Sequence, residues 1–272
     1  MQHAALLDEM ARLAHAAGEA ILATRAAGFV IERKGDASPV TAADRLAETI
    51  IAEGLRQLTP GWPIVAEEAA SEGSLPAPAP RFWLVDPLDG TREFAAGRDE
   101  FCTCIALIED GRPILGILGE VAKGILYLGH VGQGAWREQA GRRYPIAARP
   151  PPSSGLVLLD SRSHRDEAAT QRFIARLRAA GEEVTEIRRV GSALKYARLA
   201  AGEADISPRL SAGMMEWDVA AGHAILEAAG GHLLDTQGQP MRYGKPGYGQ
   251  GGFVACGSLP TKTLRIFAGG SD

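Results

Sequence analysis

Cysteine is scarce in this chain: Cys102, Cys104 and Cys256 are the three among 272 residues. An odd number argues against a disulfide framework, and the C-x-C at 102–104 has no partner Cys or His at zinc-ligand spacing. All three read as small, buried, apolar residues in a reducing cytoplasm. Aromatic residues make up only 6%, so the core must be built from Leu, Ile, Val and Ala, which suffices at this length. Basic charge is not in excess either. The formal net charge is −4, which excludes the broad positive surface of a nucleic-acid polymer binder. Long hydrophobic runs are missing: the most apolar later stretch, residues 113–128, carries Glu120 and Lys123, so no segment is expected to span a membrane. Residues 1–27 lack a basic leader and are interrupted by Asp8, Glu9, Arg12 and Glu19, unlike a signal peptide.

Apolar residues at 46% and charged ones at 23% describe a folded, enzyme-sized chain. Its length fits one large domain or two small ones. Leu6, Leu7, Met10, Leu13, Ala14, Ala17, Ile21 and Leu22 recur at helical spacing and predict an amphipathic helix over residues 4–27, stopped by Gly28. Residues 29–31 read as a short strand. A second helix starts at Thr41, with Leu46, Ile50, Ile51 and Leu55 on one face, and ends before Pro60. Strands follow at 64–66 and 82–85, separated by a Pro- and Ser-rich loop. Residues 101–108, 114–118 and 124–128, with a turn at Asp110-Gly111, predict an antiparallel meander. Three consecutive prolines, Pro150 to Pro152, make the best linker, because they continue neither kind of regular structure. Beyond them strands (156–159, 184–187, 204–206) alternate with helices (166–179, 192–201, 218–229) as in an α/β unit. We therefore expect an N-terminal α+β half, residues 1–150, and a C-terminal α/β half, residues 151–272.

Chemistry concentrates in Trp83-Leu84-Val85-Asp86-Pro87-Leu88-Asp89-Gly90-Thr91. An apolar strand delivers two carboxylates to a turn shaped by Pro87 and Gly90, and like charges so close need a cation. A carbonyl at Leu88 beside carboxylates is the hard-oxygen set that Mg²⁺ takes. An ordinary turn also uses Asp, Pro and Gly, so this motif alone decides nothing. Glu67 and Glu68 stand at another strand end, where a solvated charged pair is an equal reading. Asp218 follows Trp217 at a helix start, where it reads well as an N-cap, and Asp44 is a favourable first-turn acid.

Asp86-Pro87-Leu88-Asp89-Gly90-Thr91 together with Trp217-Asp218-Val219-Ala220-Ala221-Gly222-His223 resembles the paired signature of the inositol monophosphatase superfamily, lithium-sensitive, Mg²⁺-dependent phosphomonoesterases. Val40-Thr41-Ala42-Ala43-Asp44 and Ala66-Glu67-Glu68 precede them in the expected order, and the likeness covers roughly residues 6–255. Within the superfamily the chain is most similar to bacterial 3′(2′),5′-bisphosphate nucleotidases of sulfur assimilation, through Ser38-Pro39-Val40-Thr41, Glu93-Phe94, Ser161-Arg162-Ser163-His164, Gly191-Ser192-Ala193-Leu194-Lys195 and Pro208-Arg209. It departs from the pattern at Ala66, at Cys102 and Cys104, and at Ser211-Ala212-Gly213-Met214-Met215.

The resemblance implies a layered α-β-α-β-α sandwich of the α/β class with the metal site where the halves meet. It implies two or more Mg²⁺, one held by Glu67, Asp86 and the Leu88 carbonyl, the other by Asp86, Asp89 and Asp218. Thr91 would orient a water, with Asp44 accepting the Thr91 hydroxyl proton and Glu67, or Glu68 from behind it, sharing the catalytic task; Glu67, Leu88, Asp89, Gly90, Thr91 and Asp218 would surround the reacting phosphate. The second phosphate of a nucleoside bisphosphate needs cations, for which Lys195, Arg209 and Arg162 with His164 are candidates, though exposed Arg and Lys are more often simply solvated. His223 reads as a packed helix residue. The expected reaction is hydrolysis of adenosine 3′,5′-bisphosphate to AMP and phosphate. The rivals are an inositol-1-phosphate phosphatase, sharing the metal site, and a non-catalytic metal or nucleotide sensor, which would not need the Asp44–Thr91 pair. The expected location is cytoplasmic. Sequence leaves open a homodimer and a peripheral attachment at the cytoplasmic face of the inner membrane.

Overall fold

In the computed structural model, residues 3–33, 39–163, 166–211 and 213–259 are described. Ser38, His164 and Ala212, each part of a motif above, lie outside them. The described elements of the first part are α1 (His3–Ala27), β1 (Glu32–Arg33), β2 (Pro39–Val40), α2 (Ala42–Leu58), β3 (Ile64–Ala66), α3 (Glu67–Ser71), β4 (Arg81–Asp89), α4 (Thr91–Ala95), β5 (Cys102–Glu109), β6 (Arg112–Glu120), β7 (Ile125–His130), β8 (Gly134–Gln139) and β9 (Arg142–Ile146). Then come β10 (Leu156–Ser161), α5 (Glu167–Ala179), β11 (Val184–Val190), α6 (Leu194–Ala200), β12 (Ile206–Arg209), β13 (Met214–Met215), α7 (Ala220–Ala228), β14 (His232–Asp235), β15 (Gly249–Gln250) and β16 (Phe253–Cys256).

Strands β3 to β9 form a seven-stranded sheet in chain order, and β11-β10-β12-β16-β14 form a five-stranded one. Side-chain alternation along each strand sorts these sheets into layers. On β4, Trp83 and Val85 pack with Leu6, Met10 and Ile21 of α1 and Ile51 and Leu55 of α2. Phe82 and Leu84 face the other way, onto Leu194 and Ala197 of α6 and Ala221 and Ile225 of α7. The inner face of the smaller sheet, with Leu159, Phe253 and Ala255, closes on the same two helices. Its outer face, with Leu158, Ile206 and Val254, is covered by Phe173, Ile174 and Leu177 of α5. The order is helices, sheet, helices, sheet, helix: the expected α-β-α-β-α sandwich.

Several expectations need adjustment. Residues 28–31 are irregular and the strand begins at Glu32, where its partner among the described residues is the two-residue β2. The meander continues through β8 and β9, polar ribbons with little apolar alternation to announce them. Helix α7 begins at Ala220, after a 3₁₀ turn over Glu216–Asp218, so Val219 rather than Asp218 occupies the cap position. The proline segment is firmly tied: Arg149 makes a bidentate pair with Asp205 at 2.8 Å through both nitrogens, and buried Asp205 also accepts from the Val157 N–H at 2.7 Å.

Helix α7 approaches the large sheet at Gly116 of β6. A Cβ there would stand 2.8 Å from the Ala224 Cβ and closer still to the Ala221 carbonyl oxygen. Gly116→Ala is therefore expected to destabilise the protein by about 1–3 kcal/mol through overpacking. A urea titration checks this, reading a lower midpoint at unchanged slope.

Candidate active site

Asp86 and Asp89 are three residues apart on β4, which in a regular strand would send them to opposite faces. The register shows why they agree: Asp86 pairs with Cys104 and Asp89 with Cys102, so three steps on β4 oppose two on β5. That extra residue is a β-bulge, and it turns both carboxylates toward α6 and α7. Pro87 and Leu88 occupy the bulge. The Pro87 carbonyl accepts from Thr103 Oγ1 at 3.0 Å, and the Leu88 N–H donates to Asp86 Oδ1 at 3.0 Å. Gly90 follows at φ 90°, a left-handed conformation that carries the chain into α4.

These residues floor a cleft of about 560 Å³ between the two sheets, a size suited to a nucleotide-sized ligand. Glu67, at the start of α3, and Asp218, from the turn before α7, enter the same cleft. Asp218 Oδ2 accepts from the Met215 N–H at 2.8 Å. Glu68, which the sequence left as an alternative to Glu67, is buried and does not line the cleft.

The electrostatics express the crowding. Burial pushes the Asp86 carboxyl well above the usual range, and Glu67, Asp89 and Asp218 push it further. Asp218 is raised by burial, then by Asp89 and Glu67. Asp89 is pushed up to about 6 by burial, against the pull of Lys195 and of the Ala193 N–H, which it accepts. Asp86, Asp89 and Asp218, raised in this way, stand with Glu67 in one cleft, an arrangement that could hold a cation, because carboxylates plus a nearby carbonyl are hard oxygen ligands.

Thr91 and Asp44 meet as expected. Thr91 Oγ1 lies 3.1 Å from Asp44 Oδ1 and 3.0 Å from the Leu88 carbonyl oxygen, which shares its single proton. Asp44 is buried and its carboxyl is raised by that burial. It is held from the other side by Thr41, whose N–H and hydroxyl both donate to Oδ2 at 2.8 and 2.7 Å. The helix cap thus aims Oδ1 at Thr91.

Of the cations, Lys195 and Arg209 line the cleft and Arg162 does not. Lys195 Nζ donates to the Ser192 carbonyl at 2.7 Å; burial lowers its pKa while Asp89 raises it. Arg162 is committed to Glu100, at 2.5 and 2.8 Å, and to the Arg189 carbonyl. His223 is buried, with Nδ1 2.9 Å from the Tyr243 hydroxyl. Sequence reasoning missed Glu48, whose carboxylate takes the N–H groups of Glu68 and Ala69 at 2.7 and 2.9 Å and so fixes the start of α3. The available signal was its place one turn after Asp44 on the buried face of α2.

Comparison with known proteins bears on the family and the fold. The inositol monophosphatase family profile matches residues 4–265. The 3′(2′),5′-bisphosphate nucleotidase CysQ of Escherichia coli strain K12 is 42% identical over 245 residues, covering 88% of this chain and 94% of that protein. An inositol-1-monophosphatase of Mesorhizobium japonicum is 34% identical over 249 residues, covering 88% of each. The crystal structure of CysQ from Bacteroides thetaiotaomicron, a bacterial member of the family, superposes with a TM-score of 0.76 at 30% identity, over 93% of this chain and 97% of that one. With a profile that spans nearly its whole length and relatives above 40% identity, the chain belongs to the inositol monophosphatase family.

Proposed function

We propose that this protein is a Mg²⁺-dependent phosphomonoesterase that hydrolyses adenosine 3′,5′-bisphosphate to AMP and phosphate, a 3′(2′),5′-bisphosphate nucleotidase of the reducing cytoplasm. The observation that carries the chemistry is the convergence of Glu67, Asp86, Asp89 and Asp218 beside the Asp44–Thr91 pair. The substrate rests on the CysQ relatives at 42% identity. Residues 1–150 and 151–272 are its two halves in this reading, the first supplying Glu67, Asp86 and Asp89, the second Asp218, Lys195 and Arg209.

Glu67, Asp86 and the Leu88 carbonyl would hold one ion, and Asp86, Asp89 and Asp218 a second. Bound there, two Mg²⁺ supply the positive charge that clamps a phosphate and make water more acidic. The chain's own part is orientation and proton handling. Asp44 accepts the Thr91 hydroxyl proton, which leaves the Thr91 oxygen lone pairs to accept from a water and aim it at phosphorus. Thr41 keeps the Asp44 carboxylate from rotating away. Glu67 shares the task at the cleft edge, while Gly90 and Thr91 present the start of α4 to the phosphate oxygens. Lys195 and Arg209 would meet the phosphate that does not react.

The reading is tested by phosphate release with Mg²⁺ from adenosine 3′,5′-bisphosphate, inositol 1-phosphate and fructose 1,6-bisphosphate. The first is expected to give the highest kcat/KM, and a higher value for inositol 1-phosphate refutes the assignment. Asp44→Asn and Thr91→Ala are each expected to lower kcat by about 10²- to 10³-fold. Because the two act as one unit, the double variant should be little worse than the poorer single; additive losses would separate them.

The crowded acids also make stability depend on pH in a defined direction. A carboxyl whose folded pKa exceeds its unfolded one contributes stability that is complete below the unfolded value and disappears as pH rises through the folded value. Asp89, pushed up to about 6, acts this way, and Asp86 and Asp218 act in the same sense. The Tm of chelator-treated protein is therefore expected to fall from about pH 5 to about pH 7, and saturating Mg²⁺ to stabilise more at the upper end. Thermal melts with and without chelator read both effects.

A further inference from the structure

Behind the Asp89 carboxylate, β5 brings two buried thiols together; of these three residues Asp89 lines the cleft and the two cysteines do not. Cys102 is paired with Asp89 and Cys104 with Asp86 across the β4–β5 ladder, and two residues apart on a regular strand they share a face. Both are buried and both are free. Cys102 Sγ lies 3.9 Å from Cys104 Sγ and 3.7 Å from Asp89 Oδ2. One ligand atom from each of the three residues lies within 4.8 Å of the others.

Those spacings are close to the edges of a tetrahedral zinc site. Zn–S bonds of about 2.3 Å and a Zn–O bond of about 2.0 Å place S···S near 3.8 Å and S···O near 3.5 Å at tetrahedral angles. The Cys102–Cys104 and Cys102–Asp89 edges already meet this, and rotation of the Asp89 carboxylate toward Cys104 closes the third. We propose that Asp89, Cys102 and Cys104 form a site for a soft divalent ion, Zn²⁺ or Cd²⁺, that overlaps the hard-oxygen site at Asp89. On binding, each thiol releases its proton to solvent, two sulfur–metal bonds and one oxygen–metal bond form, and a water completes the four ligands. Thiolates select such ions, whereas Mg²⁺ takes carboxylates and carbonyls. The two sites share Asp89, so a soft ion that takes its carboxylate removes a ligand from the hard site. Soft ions therefore inhibit hydrolysis here, a consequence that, unlike the binding itself, rests on the proposed function.

The test titrates metal-free, full-length protein with Cd²⁺ and follows the ultraviolet thiolate-to-cadmium charge-transfer absorption, which carboxylates alone do not give. The band should saturate at one ion per chain, persist in Cys256→Ser, whose thiol lies in the five-stranded sheet, and vanish in Cys102→Ser/Cys104→Ser. Cadmium affinity should fall in that variant by at least roughly 100-fold, more than loss of an outer-shell partner costs. Zn²⁺ inhibition of phosphate release in excess Mg²⁺, read against each protein's own uninhibited rate, should weaken by a similar factor. Absence of the band in the parent protein overturns the proposal, and this reading needs no variant to fold. A folded double variant that keeps the band, or is inhibited by Zn²⁺ as strongly as the parent, overturns it too, since the ion then sits on the carboxylates. A band in a protein that hydrolyses no substrate of the panel leaves this site standing and removes the functional reading; hydrolysis without a band does the reverse.

Discussion

Everything around the cleft is organised by the repulsion among Glu67, Asp86, Asp89 and Asp218. Two like charges about 4 Å apart repel by roughly 4 kcal/mol at an effective dielectric near 20. A whole domain retains only about 5–15 kcal/mol of net stability, so a few such pairs would consume it if the chain had to carry them unaided. Burial raises the carboxyls of Asp86, Asp89 and Asp218, and the neighbouring acids raise them further. The remedy built into the fold is partial. Amide N–H groups of Leu88, Ala193 and Met215 each donate to one of the three, which fixes the carboxylates in place and softens the desolvation without removing the charge.

The donors come from three separate places: the β4 bulge, the approach to α6 and the turn before α7. Their relative positions are therefore set by the sandwich and not by any local segment. Helices α6 and α7 lie between the two sheets and pack against both, and Gly116 lets α7 come within backbone distance of β6. On the opposite side of the large sheet, α2 contributes two acids one turn apart, Asp44 toward Thr91 and Glu48 toward the start of α3. Each layer thus supplies a polar anchor to a site that no single layer could assemble. Rigidity of packing is what holds the acids in one cleft against their repulsion.

How much of this was legible beforehand follows from which signals are local. Helices α1 and α2, the meander of β5 to β7 and the strand–helix alternation after Pro152 could be read because apolar periodicity and Gly or Pro punctuation mark them. The site acids could be named because they cluster in short motifs at the ends of elements. Strands β8 and β9 were missed because residues such as Arg137, Glu138, Arg142 and Arg143 hide the alternation. The strand β4 was cut short at Asp86 because Pro87 reads as a stop, whereas at a bulge proline loses no ladder hydrogen bond. Asp218 reads from sequence as a helix cap as well as a metal ligand; it lies in a 3₁₀ turn that no propensity announces, and its carboxylate accepts from the Met215 N–H. Arg162 looked like a phosphate cation because exposure cannot be read from one residue; its partner, Glu100, is 62 residues away in sequence.

The same distinction explains the charge of the cleft. A net charge of −4 over 272 residues says little about any one place on the surface. Along the cleft seven acids, Glu67, Asp86, Asp89, Glu93, Asp160, Asp166 and Asp218, are set against three cations, Arg92, Lys195 and Arg209, and Lys195 is itself weakened by burial and sustained by Asp89. Without added cations such a cleft repels a phosphate dianion. In the function proposed above, two divalent ions would reverse its sign only where the four acids converge, confining the positive potential to the reacting phosphate. Recognition of a small polyanion would then reside in ions held by a repelling cluster, and the repulsion that makes the cluster costly to fold would be the source of its affinity for them.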